Sequence, residues 1–479
     1  MTGTADLVMR IVLTVLLFVP LAVGIILKKQ NKLDSDKICA LIILTGIFLR
    51  TLYIYYTKVT VRQHDAGTFF ENRGGHSQYI LYLLKYHKLP GFDPRTVDQF
   101  YHPPLHHIIC ALWLKLMELL RVDIINAGAE TLQALTLGYS SLYCIFAYTS
   151  LKRLGLKSRG IVIGTAFVTF HPTLIIMSGS INNDMLSSLF GMISVYLAIK
   201  WAQDRKWLSI ILLAFSIGFG MMTKLTVGLL APAVAAVFLT VFIKKISEWK
   251  KLVSQFAVFC AICIPIGLFW PVRNYLKFDV PMNFIPHLSE RASQYIDIPP
   301  LKRLTDFSLH QLSSPFTQWL DVGRVYNEYN PIIALFKNAM FDESTFFRKS
   351  ITLQSFCTAL FFCNIVISIT AVIALVMLWI KNKKVKLEYK LLITFISAVI
   401  FGNYIIFCMN FPHVCTENMR YCIPLIFTTA AVCGMLADRD DLKSKFFTKC
   451  CAVLPKCTLI FCMLSTFVYT AIAFYYRQK

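Results

Sequence analysis

The sequence predicts an all-helical protein that crosses a membrane many times, and three observations lead there. Of 479 residues, 56% are hydrophobic and 15% charged, with a mean hydropathy of +0.60. A soluble chain averages about 25% charged residues, so this one has too little charge to cover a globular surface. Runs of about twenty apolar residues follow one another, each long enough to cross a bilayer as a helix. Lysines and arginines gather in the short loops between those runs, where anionic lipid and the positive-inside bias favour them.

That placement excludes other classes. A formal charge of +22 would suit a nucleic-acid binder, but charge scattered through interhelical loops makes no basic face, and no nucleic-acid partner is expected. Most of the 15 cysteines, Cys39, Cys144, Cys260, Cys263, Cys357 and Cys363 among them, lie inside apolar segments, where a thiol behaves as a small hydrophobe. No zinc-type Cys or His spacing is present. Cys450-Cys451 falls in a basic loop and reads as loop ahead of a palmitoylation site.

Taken in order, Leu7–Leu27 is followed by Lys28-Lys29. A cleaved signal has its positive charge before the apolar run, so this segment reads as an uncleaved first span with its N-terminus outside. Further spans are expected near 38–57, 131–150, 160–178, 184–201, 207–222, 225–243, 253–271, 355–380, 390–409, 421–437 and 457–475, about twelve in all. Leu105–Leu120 is a thirteenth apolar stretch. It is short, opens on His106-His107 and carries Lys115 and Glu118. A central charge costs about 2.5–3.5 kcal/mol on the insertion scale. Left out as a span, it lets the basic loops Lys28–Lys37, Lys152–Arg159, Arg205-Lys206, Lys244–Lys251, Lys381–Lys390 and Arg439–Lys456 share one side. It is therefore expected to lie at the outer interface as an amphipathic helix.

The chain then forms a single transmembrane domain, 1–479, with two long outer segments, 58–130 and 272–354. Both exceed ordinary loop length and are too rich in aromatic and aliphatic residues for disorder.

These segments hold the residues able to do chemistry. Asp65 stands just past the second span in Gln63-His64-Asp65-Ala66-Gly67, and a second acid, Asp184, follows Asn182-Asn183 on the same side. Asp184 is also a helix N-cap candidate. Two acids on one face can hold a divalent metal or orient an acceptor hydroxyl. In Phe100-Tyr101-His102-Pro103-Pro104-Leu105-His106-His107, the H-x3-H spacing would put His102 and His106 on one helical face. The prolines oppose a continuous helix there, so metal ligation, holding a helix end, and contact to phosphate all stay open. Lys224, Arg273 and Arg420 are outer cations, a minority under the positive-inside bias. They read either as anchors of span ends or as phosphate ligands, Arg as a fork and Lys as a point charge.

Together, Asp65, His102-Pro103-Pro104-Leu105, Asn183-Asp184, Lys224 and Arg273-Asn274-Tyr275 resemble the GT-C fold glycosyltransferases. The branch they resemble holds the protein O-mannosyltransferases and the lipid A aminoarabinose transferases. The likeness runs from about 60 to 280. It implies a polyprenyl-phosphate-type sugar donor, an extracytoplasmic acceptor (protein, glycan or lipid), and an active site on the extracytoplasmic side of the cell membrane or endoplasmic reticulum. It implies Asp65 as the base and a phosphate contact at the place of His102, while the residue chemistry offers Lys224, Arg273, Arg420 and His102 as candidates against the donor phosphate. Asp184 and His106 are left for acceptor or metal, with a divalent ion the one cofactor to test. The family often shows an adjacent Asp-Glu pair, but Ala66 stands at the second place here. The residues fit the chemistry independently, since transfer from a sugar phosphate needs a base and charge stabilisation on the leaving phosphate. A secondary transporter or lipid flippase is the competing class. It would favour repeats and mid-membrane charges, and the sequence shows no repeat.

Topology gives the first test. Cysteine-accessibility labelling should place 58–130 and 272–354 outside and 381–390 inside. Outside labelling of Lys152–Arg159 would restore 105–120 as a span.

Overall fold

A computed structural model describes residues 3–57, 59, 64, 75–124, 127–317, 328–343, 350–380, 385–439 and 445–475. Among them the regular structure is helical, apart from one antiparallel bridge between Tyr295 and His413. In order the helices are α1 (Gly3–Leu16), α2 (Val19–Lys29), α3 (Ser35–Tyr56), α4 (Gly75–Tyr86), α5 (Leu105–Leu119), α6 (Gly128–Arg153), α7 (Ser158–Thr169), α8 (Pro172–Ile176) and α9 (Asp184–Asp204). Then come α10 (Trp207–Met221), α11 (Ala231–Lys244), α12 (Trp249–Phe278), α13 (Pro300–Thr305), α14 (Pro331–Phe341), α15 (Ile351–Ile380), α16 (Leu387–Asn410), α17 (Pro424–Ala437) and α18 (Lys445–Tyr475).

All twelve expected spans fall on helices, but not all are long and apolar enough to cross a membrane alone. Eight are, by length and composition, or nine if the pair Ser158–Thr169 and Pro172–Gly179, bent by 50°, is one span. The difference from twelve has plain causes. Helices α10 and α17 have 15 and 14 residues. Helix α6 is long, but Thr131, Gln133, Thr136, Ser140, Ser141 and Thr149 lower its hydropathy. The chain is a multi-pass integral membrane protein.

The basic short loops gather at one end of the bundle. Lys152 pairs with Asp36. Arg153 bonds Gln203, which bonds the Tyr389 hydroxyl at 2.9 Å. Lys244 pairs with Glu388 at 2.6 Å, and the Lys157 amide donates to Asp438 at 2.6 Å.

The opposite end carries α4 and α5. Helix α5 is amphipathic, as expected: His106, His107, Cys110, Ala111 and Leu114 are buried, while Leu112, Leu116 and Leu119 are exposed. Lys115 and Glu118 pair with each other on the exposed side at 2.6 Å. The Leu105 amide donates to the Met222 carbonyl at 3.0 Å, and Gln133 donates to the Thr57 carbonyl at 3.2 Å. The first ties α5 to the end of α10 and the second ties α6 to the end of α3, while Trp113 of α5 donates to the Thr131 hydroxyl of α6 at 3.2 Å and joins the two pairs. Helix α12 runs on through Pro265 and Pro271 to Phe278, so Arg273, expected just past a span, sits inside its last turns.

The later connecting segment is fixed by Arg303, whose side chain is 1% exposed. Its guanidinium donates to Glu417 at 2.7 Å, to the Cys408 carbonyl at 2.8 Å and to the Tyr329 carbonyl at 3.2 Å. Burial pushes the Glu417 carboxyl up to about 7, with Arg303 opposing the shift. Removing one partner of such a pair strands a buried charge, at a cost of about 3–5 kcal/mol. Arg303→Ala should therefore lower the thermal unfolding midpoint sharply in detergent. An unchanged midpoint would show that the pair does not hold the segment.

Candidate active site

The turn Asn182-Asn183 launches α9 and sets the site. Asn183 donates to the Thr223 carbonyl at 2.9 Å, which pins the turn to the end of α10. Asn182 donates to the Asp184 carboxylate at 3.0 Å and accepts the Asp184 amide at 3.2 Å. Asp184 is thus the first residue of α9 rather than its N-cap, and its carboxylate serves something other than the helix end.

That carboxylate meets two cations. Lys224, next after Thr223, donates its ammonium to one oxygen. Arg420, from the connection between α16 and α17, brings Nη1 to 3.7 Å from the other. The side chains of Asp184, Arg420 and Lys224 are 3%, 6% and 14% exposed. Tyr421 supports both cations: Lys224 Nζ and the Arg420 guanidinium each lie 4.9 Å from its ring centre, a favourable placement of charge over a ring face. Arg420 Nη2 also donates to the Tyr421 hydroxyl at 2.9 Å.

Beside this group stand two more carboxylates. His64 Nε2 is 2.7 Å from Asp342, and its Nδ1 is 3.8 Å from Glu343. Asn418 donates to Asp342 at 2.8 Å and to Glu343 at 3.2 Å. Its own oxygen accepts the Arg420 amide at 2.9 Å, which fixes the amide's orientation. Burial works to raise both acids. In Asp342, His64 and Asn418 overcome it and hold the carboxyl low, at about 2; Glu343 is pushed up to about 7. Burial alone would lower His64, but Asp342 wins and raises it to about 9. Asp342 also holds φ at 51° and ψ at −145°, a conformation costing about 1–3 kcal/mol outside glycine.

A column of stacked rings forms the third wall. His102 stacks on His76 with centroids 5.4 Å apart, His76 on His107 at 5.1 Å, His107 on Tyr79 at 4.2 Å, and Tyr79 on Phe100 at 4.5 Å. His76 and His107 also share a hydrogen bond of 2.8 Å. His76 acts electrostatically on Asp184, so the column lies near the ion group.

The structure therefore brings Asp184, Lys224, Arg420 and the His76–His102 stack together. Asp65 lies outside the described residues; its chain neighbour His64 is in the site. His106 is fully buried, with Nε2 2.9 Å from the Ile181 carbonyl, and burial drops it to about 4. His102 precedes α5 rather than sharing a helical face with His106, because the helix begins only after Pro103-Pro104. Among the described residues, the group with metal-ligand geometry is His64, Asp342 and Glu343, not one built on Asp184 or His106. Arg273 stacks on Trp270 at 4.6 Å and bonds Asn274 at 2.6 Å and the Pro90 carbonyl. It also lines a largely apolar groove of 500 Å³ along α12, together with Ile264, Pro265, Leu268, Phe269 and Leu276.

Known proteins bear on this arrangement. Residues 101–270 match the family model of the dolichyl-phosphate-mannose-protein mannosyltransferases, so the resemblance read from the motifs is borne out over that stretch. It takes in His102, Asp184 and Lys224 and stops short of Arg273, Asp342, Glu343 and Arg420. Among solved structures, the crystal structure of ArnT from Cupriavidus metallidurans in the apo state is similar at 13% identity and a TM-score of 0.39, over 83% of this chain and 78% of that one. No curated protein sequence matches the chain.

The Asp184–Lys224 contact invites a double-mutant cycle. Lys224→Met alone leaves Asp184 buried with one weaker partner, and Asp184→Asn alone leaves two crowded cations. The double variant should be less destabilised than the sum of the singles, by about 0.5–3 kcal/mol. Simple additivity would show that the two charges do not sense each other.

Proposed function

We propose that this chain is an integral-membrane glycosyltransferase that moves a sugar from a polyprenyl-phosphate-type lipid donor to an acceptor on the extracytoplasmic side. The observation that carries the reading is the convergence of Lys224 and Arg420 on the buried Asp184 carboxylate. Two fixed cations facing one acid suit a lipid phosphodiester, because charge-assisted bonds to phosphate are the strong kind and stabilise charge on a leaving phosphate.

Beside them lies room for the lipid. A cavity of 380 Å³ between α14, α15, α16 and α17 is lined by Leu335, Phe336, Ala371, Phe401, Met419 and Val432, among others. Met419, one of its lining residues, is the chain neighbour of Arg420. The match of residues 101–270 to a mannosyltransferase family supports the same class.

Each residue then has a task. Lys224 and Arg420 hold the donor phosphate, with Asp184 positioning both. The His102 stack bounds the sugar. Asp65, the chain neighbour of His64, takes the acceptor proton. Arg273, held over the Trp270 ring and on the Pro90 carbonyl, braces the end of α12 and stays off the phosphate.

Asp65→Asn should lower transfer by about 10²–10⁴-fold with folding intact, the range of a lost general base. Lys224→Gln and Arg420→Gln should raise the donor KM more than the acceptor KM. Asp65→Asn activity within a few-fold of wild type would remove Asp65 from the mechanism. Unchanged donor KM in both cation variants would remove the phosphate role and favour a transporter.

A further inference from the structure

We propose that His64, Asp342 and Glu343 form a binding site for one divalent ion of the Mn2+ or Zn2+ class. Each offers one ligand atom, an imidazole nitrogen and two carboxylate oxygens, and all three atoms lie within 4.8 Å of one another. Bonds of about 2.0–2.2 Å to a central ion need ligand atoms that close, so small side-chain movements suffice. The side chains are 12%, 10% and 16% exposed.

Several features favour an ion here over a simple ion pair. Asp342 and Glu343 are consecutive acids, and two partly desolvated carboxylates side by side call for more positive charge than one imidazole ring supplies. The ring faces both, with Nε2 toward Asp342 and Nδ1 toward Glu343. Asn418 donates to both carboxylates from outside while its oxygen is held by the Arg420 amide. A fixed donor behind the ligands is what orients metal-binding carboxylates. The mixed donor set selects the metal class: carboxylate and imidazole together suit Mn2+ and Zn2+, whereas Mg2+ prefers oxygen and water and Cu+ prefers sulfur.

Three protein ligands leave coordination positions open, as in catalytic rather than structural sites. Arg420 acts electrostatically on both acids, which weakens the ion's hold and places it beside the cations facing Asp184. The ion would thus sit where an anionic group meets Arg420. Binding itself is independent of the transferase reading and can be measured with no donor or acceptor present.

The experiment uses full-length protein in detergent, stripped with EDTA and titrated with Mn2+. Free Mn2+ is followed by its paramagnetic resonance signal. Wild type should remove one equivalent from solution, Zn2+ should displace it, and the thermal unfolding midpoint should rise with Mn2+. His64→Gln and Glu343→Gln should each weaken binding at least tenfold, and Asn418→Ala about 10–100-fold, as for lost orienting partners. No saturable binding by wild type would overturn the proposal, whatever the variants do. Wild-type affinity in both ligand variants would place the ion elsewhere and overturn it equally.

Discussion

One carboxylate organises this end of the bundle. Asp184 is buried at the start of α9, and an isolated charge there would cost several kcal/mol. Lys224 and Arg420 offset that cost, and each comes from a different part of the chain. The Asn183–Thr223 bond fixes the register between α9 and α10 that puts Lys224 in reach. The Asn418–Arg420 bond fixes the turn that aims the guanidinium. Arg303 and Glu417 in turn hold the connection carrying Asn418 against α13 and α16. Retaining so much charge in a membrane protein is costly, and such residues generally mark a functional path.

Much of this was legible beforehand. Hydropathy places every long helix, because a spanning segment must satisfy its own backbone and stay apolar for about twenty residues. The interfacial reading of 105–120 rests on Lys115 and Glu118, and both emerge on the exposed side of α5. The number of spans was less legible: α10 and α17 are short, and α6 is polar. Asp184, Lys224 and Arg420 stand out as charges at span ends.

The carboxylate pair was missed. Asp342 and Glu343 follow the short helix α14 inside a long connecting segment, and no periodicity links them to His64, 278 residues earlier in the chain. The available signal was the adjacency of the two acids. Ala66 stands where the family that the motifs resemble often carries a second acid, and an Asp-Glu pair reaches the neighbour of Asp65 through space instead. Arg273 shows the opposite error: a helix continuing through two prolines drew it away from the span end and onto Trp270 and Pro90.

A lipid phosphate received by the Lys224–Arg420 pair is what the proposed chemistry depends on. The most direct measurement is a structure of the protein with a short-chain polyprenyl-phosphate sugar. The phosphate oxygens should lie within bonding distance of Lys224 and Arg420, with the tail in the cavity between α14 and α17. A lipid seated with its phosphate on Arg273 along α12, or at the basic-loop end of the bundle, would contradict it.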